Sequence, residues 1–419
     1  MRWLLALMSL FPTISHAADP AAILLKPDAV FDGVNPTLHP GWTVLVRGER
    51  IEAVGPSVPV PADATVIELA GMTLMPGMIE GHGHLFLHPY NETSWDDQVL
   101  HESLALRTAR AVVHARATLL AGFTTLRDLG TEGAGYADVG LKAAIDQGVI
   151  EGPRLLVATR AIVALGAYGP KGYEPGVDVP QGAEEASGVE GVVAAVRRQI
   201  AAGADVVKLY GDYRWRPGEP SRATFTAAEV RAAVEAAHDA GRTVAVHAST
   251  PEGMRRAIAA GADTIEHGYG GTAEIFASMR AKSVSYCPTL AASDAVSRYG
   301  GWTGAGPVPA AVVASREALK LARAAGVSIC VGGDVGVFAH GHNAREMDLL
   351  ASAGMPVAEV LIAATSGNAR ALGMGGRIGQ IKPGMFADLI AVSGNPLREI
   401  SAIQSVRLVI KNGRVVRTP

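Results

Sequence analysis

Gly81-His82-Gly83-His84 follows the apolar run Met75-Pro76-Gly77-Met78-Ile79, and four further polar residues close short β-like runs later in the chain. These are Lys208 in Val-Val-Lys-Leu-Tyr, His247 in Val-Ala-Val-His-Ala, His267 in Thr-Ile-Glu-His-Gly and Asp334 in Val-Gly-Gly-Asp-Val. Side chains two apart in a strand share a side, so His82 and His84 can present two imidazoles to one ion. Neutral imidazole is the commonest protein metal ligand, and zinc also accepts carboxylate. A lone histidine on an apolar run is more often a satisfied core residue, and a lone aspartate after Val-Gly-Gly can be a helix N-cap. Six residues of these types at five strand ends argue instead for a metal centre. Lys208 is the unusual member, because an ammonium cannot ligate a cation. Burial would lower its pKa and free the amine. Such an amine can capture carbon dioxide as a carbamate, which behaves as a bridging carboxylate; a lysine salt-bridged to Asp334 or Asp212 is the alternative.

The elements that must position these residues alternate regularly. From Arg107 to Leu372, helical segments rich in Ala, Arg and Glu alternate with Val/Ile-rich runs, a pattern for parallel strands with crossover helices. Ala-Gly pairs ending at Gly122, Gly203, Gly241, Gly261 and Gly326 close helical patterns. Thr226 to Glu229 reads as a capping box and Thr250-Pro251 as an N-cap with proline at N1. Eight β-like runs, 73–79, 124–128, 154–158, 206–209, 243–246, 264–266, 284–287 and 328–331, fit an α/β fold of the (β/α)8 TIM-barrel type. A doubly wound open sheet is the competing layout, but no Gly-x-Gly-x-x-Gly turn follows the first strand. In a barrel the C-terminal strand ends form the active-site face, where all six residues would meet.

Both ends of the chain are β-rich and too short to make stable sheets alone, so they are expected to pair into one small β-sandwich domain. The expected organisation is a signal peptide at 1–17, small-domain segments at 18–74 and 373–419, and the barrel at 75–372. The leader has a positive start, a short apolar stretch and a small-x-small cleavage site at Ala17, which predicts export to the periplasm or the medium. A chain of 419 residues with 48% hydrophobic composition can bury a large core. Its net charge of −3 gives no basic field for nucleic acid, and no membrane span is expected in the mature chain. Cys287 and Cys330 fall in consecutive predicted strands; two buried free thiols are expected rather than a disulfide.

The His-x-His on the first strand, lysine on the fourth, histidines on the fifth and sixth and aspartate on the eighth resemble the binuclear metal-dependent amidohydrolase superfamily. Ala364-Thr365-Ser366-Gly367-Asn368-Ala369 and the segment from Gly379 through Gly384 to Ala387-Asp388-Leu389 carry the same resemblance. Within it, Lys208-Leu-Tyr-Gly-Asp-Tyr-Arg-Trp215 and the segment Gly333-Asp334 to His340-Gly-His342-Asn343-Ala-Arg-Glu346 are similar to imidazolonepropionase-like proteins, Xaa-Pro dipeptidases and zinc carboxypeptidases, and ochratoxin-hydrolysing amidohydrolases. The loop Gly166-Ala-Tyr168-Gly-Pro-Lys-Gly172 departs from many relatives, which carry a histidine there.

This resemblance implies two zinc ions per chain, one held by His82, His84 and Asp334 and the other by His247 and His267, with N6-carboxylated Lys208 between them. It further implies hydroxide as nucleophile and Asp334 as general acid and base. The implied substrate is a small peptide or N-acyl amino acid with a free carboxylate, the phenylalanine amide of ochratoxin being a special case. Tyr168, Tyr210, Tyr213, Arg214 and His340 are the candidates for substrate contacts, with His342 nearby. Ring opening of a cyclic amide or deamination is the alternative chemistry, and a non-catalytic scaffold on the same fold is the alternative of another class. A homo-oligomer is the expected assembly.

Overall fold

The computed structural model describes residues 22–174 and 176–419, so the leader reading lies outside the described residues. Seven parallel strands carry the barrel: β1 Met78–Gly83, β2 Phe123–Asp128, β3 Arg154–Val157, β4 Val206–Tyr210, β5 Thr243–Ala248, β6 Thr264–His267 and β7 Ser285–Cys287. β1, β2 and β3 form one ladder and β4 to β7 another. They approach between β3 and β4, where Asp205 N donates to Val157 O at 2.8 Å.

The eighth wall is the segment 328–335, and here expectation and structure differ. It joins its neighbours through isolated bridges, Tyr286 with Ile329 and Gly83 with Val335, so the ladder is not continuous round the ring. Cys330 N donates to Tyr286 O on one side, while Gly81 N donates to Val331 O on the other. Gly332 lies against the backbone of His82, where a Cβ would come within 2.7 Å of His82 N. Glycine permits that approach, and the backbone then takes a left-handed step at Asp334, whose φ is 61°, while Asp334 N still donates to His82 O.

The helices begin and end as their caps dictate. The Thr226–Glu229 capping box is formed in both directions, and Thr250 receives Gly253 N ahead of Pro251. Gly203 and Gly261 end their helices in the left-handed conformation. Between helices and strands lies an apolar core that includes Val207, Leu209, Val244, Val246 and Ile265 from the strands and Val196, Val234, Met254 and Phe276 from the helices.

Strands from both chain ends share one eight-stranded sheet, in which Ala22–Val30 runs parallel to Thr65–Pro76, and Thr65–Pro76 also pairs with Leu389–Ser393. This sheet curls back on itself: Arg50 bridges Phe386, and the fold encloses Leu25, Val44, Leu69, Leu389 and Leu408. The predicted run 73–79 is divided between this sheet and β1. The break is at Gly77, where a Cβ would overlap the Thr124 side chain. Arg154 ties sheet to barrel through Asp388 at 3.1 Å.

The two cysteines are bonded to each other, with Cα atoms 4.5 Å apart. The expectation of free thiols is therefore corrected. The Tyr286–Ile329 bridge sets the register that brings Cys287 and Cys330 side by side, across the seam where backbone pairing is sparsest.

Candidate metal centre and active-site cavity

His82 and His84 lie at the end of β1, and each ring is fixed through Nδ1. His82 Nδ1 faces Glu266 Oε2 at 2.8 Å, and His84 Nδ1 faces the carbonyl of Gly130 at 2.9 Å. Both Nε2 atoms are thereby turned toward Asp334, whose Oδ1 is 3.6 Å from His82 and 3.3 Å from His84. The ligand atoms of this trio all lie within 4.8 Å of one another, a spacing one cation could occupy.

His267 Nδ1 faces Thr289 Oγ1 at 2.8 Å, and its ring centre is 5.1 Å from that of His82 and 4.5 Å from that of His247. His247 Nε2 lies 3.5 Å from Ser249 Oγ and 3.6 Å from Asp212 Oδ1, which leaves Nδ1 for the cavity. Lys208 is buried, with Nζ 3.5 Å from His82 Nε2. No ion pair to Asp334 or Asp212 forms among the described residues: Asp334 is taken by the histidines, and Asp212 accepts from Ser249 and Thr250.

The electrostatics suit cation binding. Burial pushes His82, His247 and His267 well below the usual imidazole range, and the nearby Lys208 charge pushes the same way, so their rings are neutral. Burial likewise lowers Lys208. Burial would raise the Asp334 carboxyl, but its interactions with His82 and His84, and the nearby Lys208 charge, hold it at about 2. Burial opposes protonation of His84, yet its hydrogen bond and charge interaction with Asp334 raise it to about 9. A cation entering between these two would take the place of the proton they share. His267 and Asp334 both have positive φ, at 70° and 61°. Such backbone costs energy for non-glycine residues and recurs at functional sites.

The supporting partners were not singled out from sequence. Arg127 donates to Gly81 O at 2.6 Å, to Thr264 Oγ1 at 3.0 Å and to Glu266 Oε1 at 2.8 Å, so it anchors the carboxylate that orients His82. Glu80 accepts from His82 N, Gly333 N and Asn343 Nδ2, linking β1 to the loop that carries Asp334. Asn368 bonds Ile79 O and both backbone groups of Val331, which gives the Ala364 to Ala369 motif its place beneath the site.

The open side is a cavity of about 310 Å³ lined by His82, His84, His247, His267 and Asp334 and by Tyr90, Glu132, Tyr168, Tyr210, Tyr213 and Tyr269 among others. Of the expected substrate contacts, Tyr168, Tyr210 and Tyr213 are here, with the Tyr210 ring stacked on His247 at 4.7 Å. Two are not. Arg214 is exposed and does not line the cavity, because the hairpin of Asp212–Tyr213 with Arg222–Ala223 alternates sides and turns Tyr213 inward. His340 is buried outside the lining: Nε2 faces His84 O at 3.2 Å and the ring stacks on His114 at 4.4 Å, so it steadies the backbone behind His84. His342 is exposed.

A parallel barrel whose strand ends gather four imidazoles, an amine and a carboxylate at one cavity defines a barrel enzyme with a candidate metal site. Residues 73–416 match the amidohydrolase family, and the chain belongs to that family. Over 377 residues it is 30% identical to ochratoxinase from Aspergillus niger, spanning 83% of this chain and 76% of that protein. A crystal structure of a Xaa-Pro dipeptidase with methionine bound in the active site superposes with a TM-score of 0.86 at 30% identity, covering 95% of this chain and 100% of that one. A prolidase complexed with N-methylphosphonate-L-proline gives a TM-score of 0.84 at 28% identity, with the same coverage. The protein is a hydrolase acting on C–N bonds, of the amide type.

Proposed function

We propose that the chain is a binuclear zinc amidohydrolase cleaving dipeptides or N-acyl amino acids with a free C-terminal carboxylate. The observation that carries this reading is Lys208: a buried amine 3.5 Å from His82 Nε2, with no carboxylate partner among the described residues. As a carbamate it would complete two sites, His82, His84 and Asp334 holding one zinc, and His247 and His267 the other. Bound zinc would lower the pKa of water toward about 7 and polarise the scissile carbonyl.

The chain's own residues do the rest. Asp334, the carboxylate set between the two histidines, would receive the proton of the attacking water and then deliver it to the leaving amine. Glu266 and the Gly130 carbonyl hold the imidazoles in the required orientation. No arginine or lysine is among the residues lining the cavity, so a substrate carboxylate would be met by tyrosine hydroxyls. The names of the Xaa-Pro dipeptidase, the prolidase and the ochratoxinase support an amide or peptide substrate. We take the protein to be exported, a reading supported by the leader at 1–17 and by the Cys287–Cys330 disulfide, a bond that persists in oxidising compartments.

The test is to load the mature protein with zinc, count the metal by elemental analysis and screen dipeptides against N-acyl amino acids. Two zinc ions per chain with hydrolysis of either class is expected. One metal in the fully active enzyme, or activity confined to cyclic amides or amidines, overturns the proposal.

A further inference from the structure

The cavity wall carries a carboxylate that the mechanism does not use. Glu132 lies two residues beyond Gly130, is 2% exposed and has φ 48°. Its Oε2 accepts from Trp95 Nε1 at 2.9 Å and from Tyr168 OH at 2.7 Å, while among the described residues Oε1 has only Tyr210 OH at 3.4 Å. All three donors are neutral. Arg107, on the same side, donates to the carbonyls of Phe86 and Thr131, and Glu132 makes no ion pair among the described residues. A buried carboxylate without a cationic partner is costly, and the weakly engaged Oε1 keeps acceptor capacity at the cavity wall. The surroundings are aromatic: Tyr168 and Tyr210 pack at 4.7 Å and Tyr168 and Tyr213 at 4.9 Å, and such faces attract cations. Tyr210 also stacks on His247, so Glu132 stands one aromatic ring away from the candidate metal centre.

We propose that Glu132, framed by Tyr168 and Tyr210, receives the protonated α-amino group of the substrate's N-terminal residue and so selects free dipeptides over N-acyl amino acids. The inference rests on the amide-hydrolase reading above and narrows its substrate class. The ammonium of a dipeptide sits on the carbon next to the scissile carbonyl, which suits an anionic, aromatic wall beside the reacting atoms. An N-acetyl group removes that charge and leaves Glu132 buried and unpaired.

The experiment compares three substrates on zinc-loaded enzyme: a free dipeptide, its N-acetyl form and the desamino acyl analogue. A charged hydrogen bond is worth about ten- to hundredfold, so the free dipeptide should exceed both others in kcat/KM by that factor. Glu132→Gln keeps an acceptor for Trp95 and Tyr168 and should erase the preference for the free dipeptide over the other two substrates. Calorimetry with the product amino acid and its desamino analogue gives the same comparison without turnover: the amino acid should bind more tightly to wild type, and equally with the analogue to Glu132→Gln. Wild-type preference for the N-acetyl or desamino substrate, or a preference that survives Glu132→Gln, overturns the inference while the hydrolase reading stands. Failure to cleave any of the three counts against the hydrolase reading, and the binding comparison then decides the role of Glu132. Should Glu132→Gln not fold, the wild-type substrate series decides it alone.

Discussion

Arg127 and Glu266 are both buried and meet at 2.8 Å, and the far oxygen of Glu266 faces His82 Nδ1 at 2.8 Å. Removing one partner of a buried ion pair costs about 3–5 kcal/mol, because the other charge is left without compensation. Arg127→Met should therefore destabilise the fold by that amount while the Glu266 contact to His82 remains. With an unfolding entropy of about 2.1 cal/mol/K per residue, a 419-residue chain has roughly 0.9 kcal/mol/K at its midpoint, so the loss corresponds to a fall in Tm of about 3–6 °C. The double variant Arg127→Met, Glu266→Leu replaces the whole pair by apolar groups, which is often close to neutral, so most of the Tm should return. Metal affinity should move the other way. The double variant takes the acceptor from His82 and should bind zinc about 10–100-fold more weakly, whereas Arg127→Met alone should bind it nearly as wild type does. Calorimetric melts of metal-free protein and competition against a chelator read the two quantities separately. A single variant that melts with wild type, or a double variant with undiminished zinc affinity, would refute the division of labour drawn here.

Asp334→Asn should keep most of the bound metal by elemental analysis yet lose about 10²–10⁴-fold in turnover, and unchanged turnover at full occupancy would remove Asp334 from proton transfer. The Cys287–Cys330 bond closes a 43-residue separation, for which chain entropy predicts about 4 kcal/mol, so the double serine variant should melt roughly 4 °C lower. Thiol titration of the unfolded, unreduced protein should find no free thiol; two would contradict the pairing. Burial pushes the Glu346 carboxyl up to about 8, although Leu290 N and Ala291 N both donate to it. A raised carboxyl pKa stabilises the fold fully below the unfolded value near 4.5, and that contribution is lost as pH rises toward 8. The Tm of Glu346→Gln relative to wild type should consequently climb between those limits and level off above them; parallel curves would exclude Glu346 as the titrating group.

The order of the barrel was legible because alternating helix and strand periods, with glycine closing one and β-branched residues opening the next, are written along the chain. The residues gathered at the candidate metal site were legible as residue types at strand ends, but their supports were not. Strand alternation would send Glu266 and His267 to opposite faces, yet the Glu266 carboxylate and the His267 ring both reach His82, because the positive φ of His267 turns that residue out of the strand geometry. Asp334 reads by type as a strand end, and it lies on the eighth wall in a left-handed backbone step that follows Gly332 and Gly333. The cysteine pair depended on the register between β7 and the segment 328–331, which two isolated short runs do not encode. Arg214 and Tyr213 differ by one position in a hairpin, and that single step separates solvent from cavity. Glu80, Glu132 and Glu266 share a deeper reason for escaping notice. A glutamate in a sequence reads as a solvated surface residue, and only the tertiary fold supplies the donors that let one be buried. For Glu80 and Glu266 those donors come from backbone, Asn343 and Arg127, and the charge is structural. For Glu132 they are neutral and incomplete, and it is this difference in partners that sets Glu132 apart from Glu80 and Glu266 and turns it toward substrate.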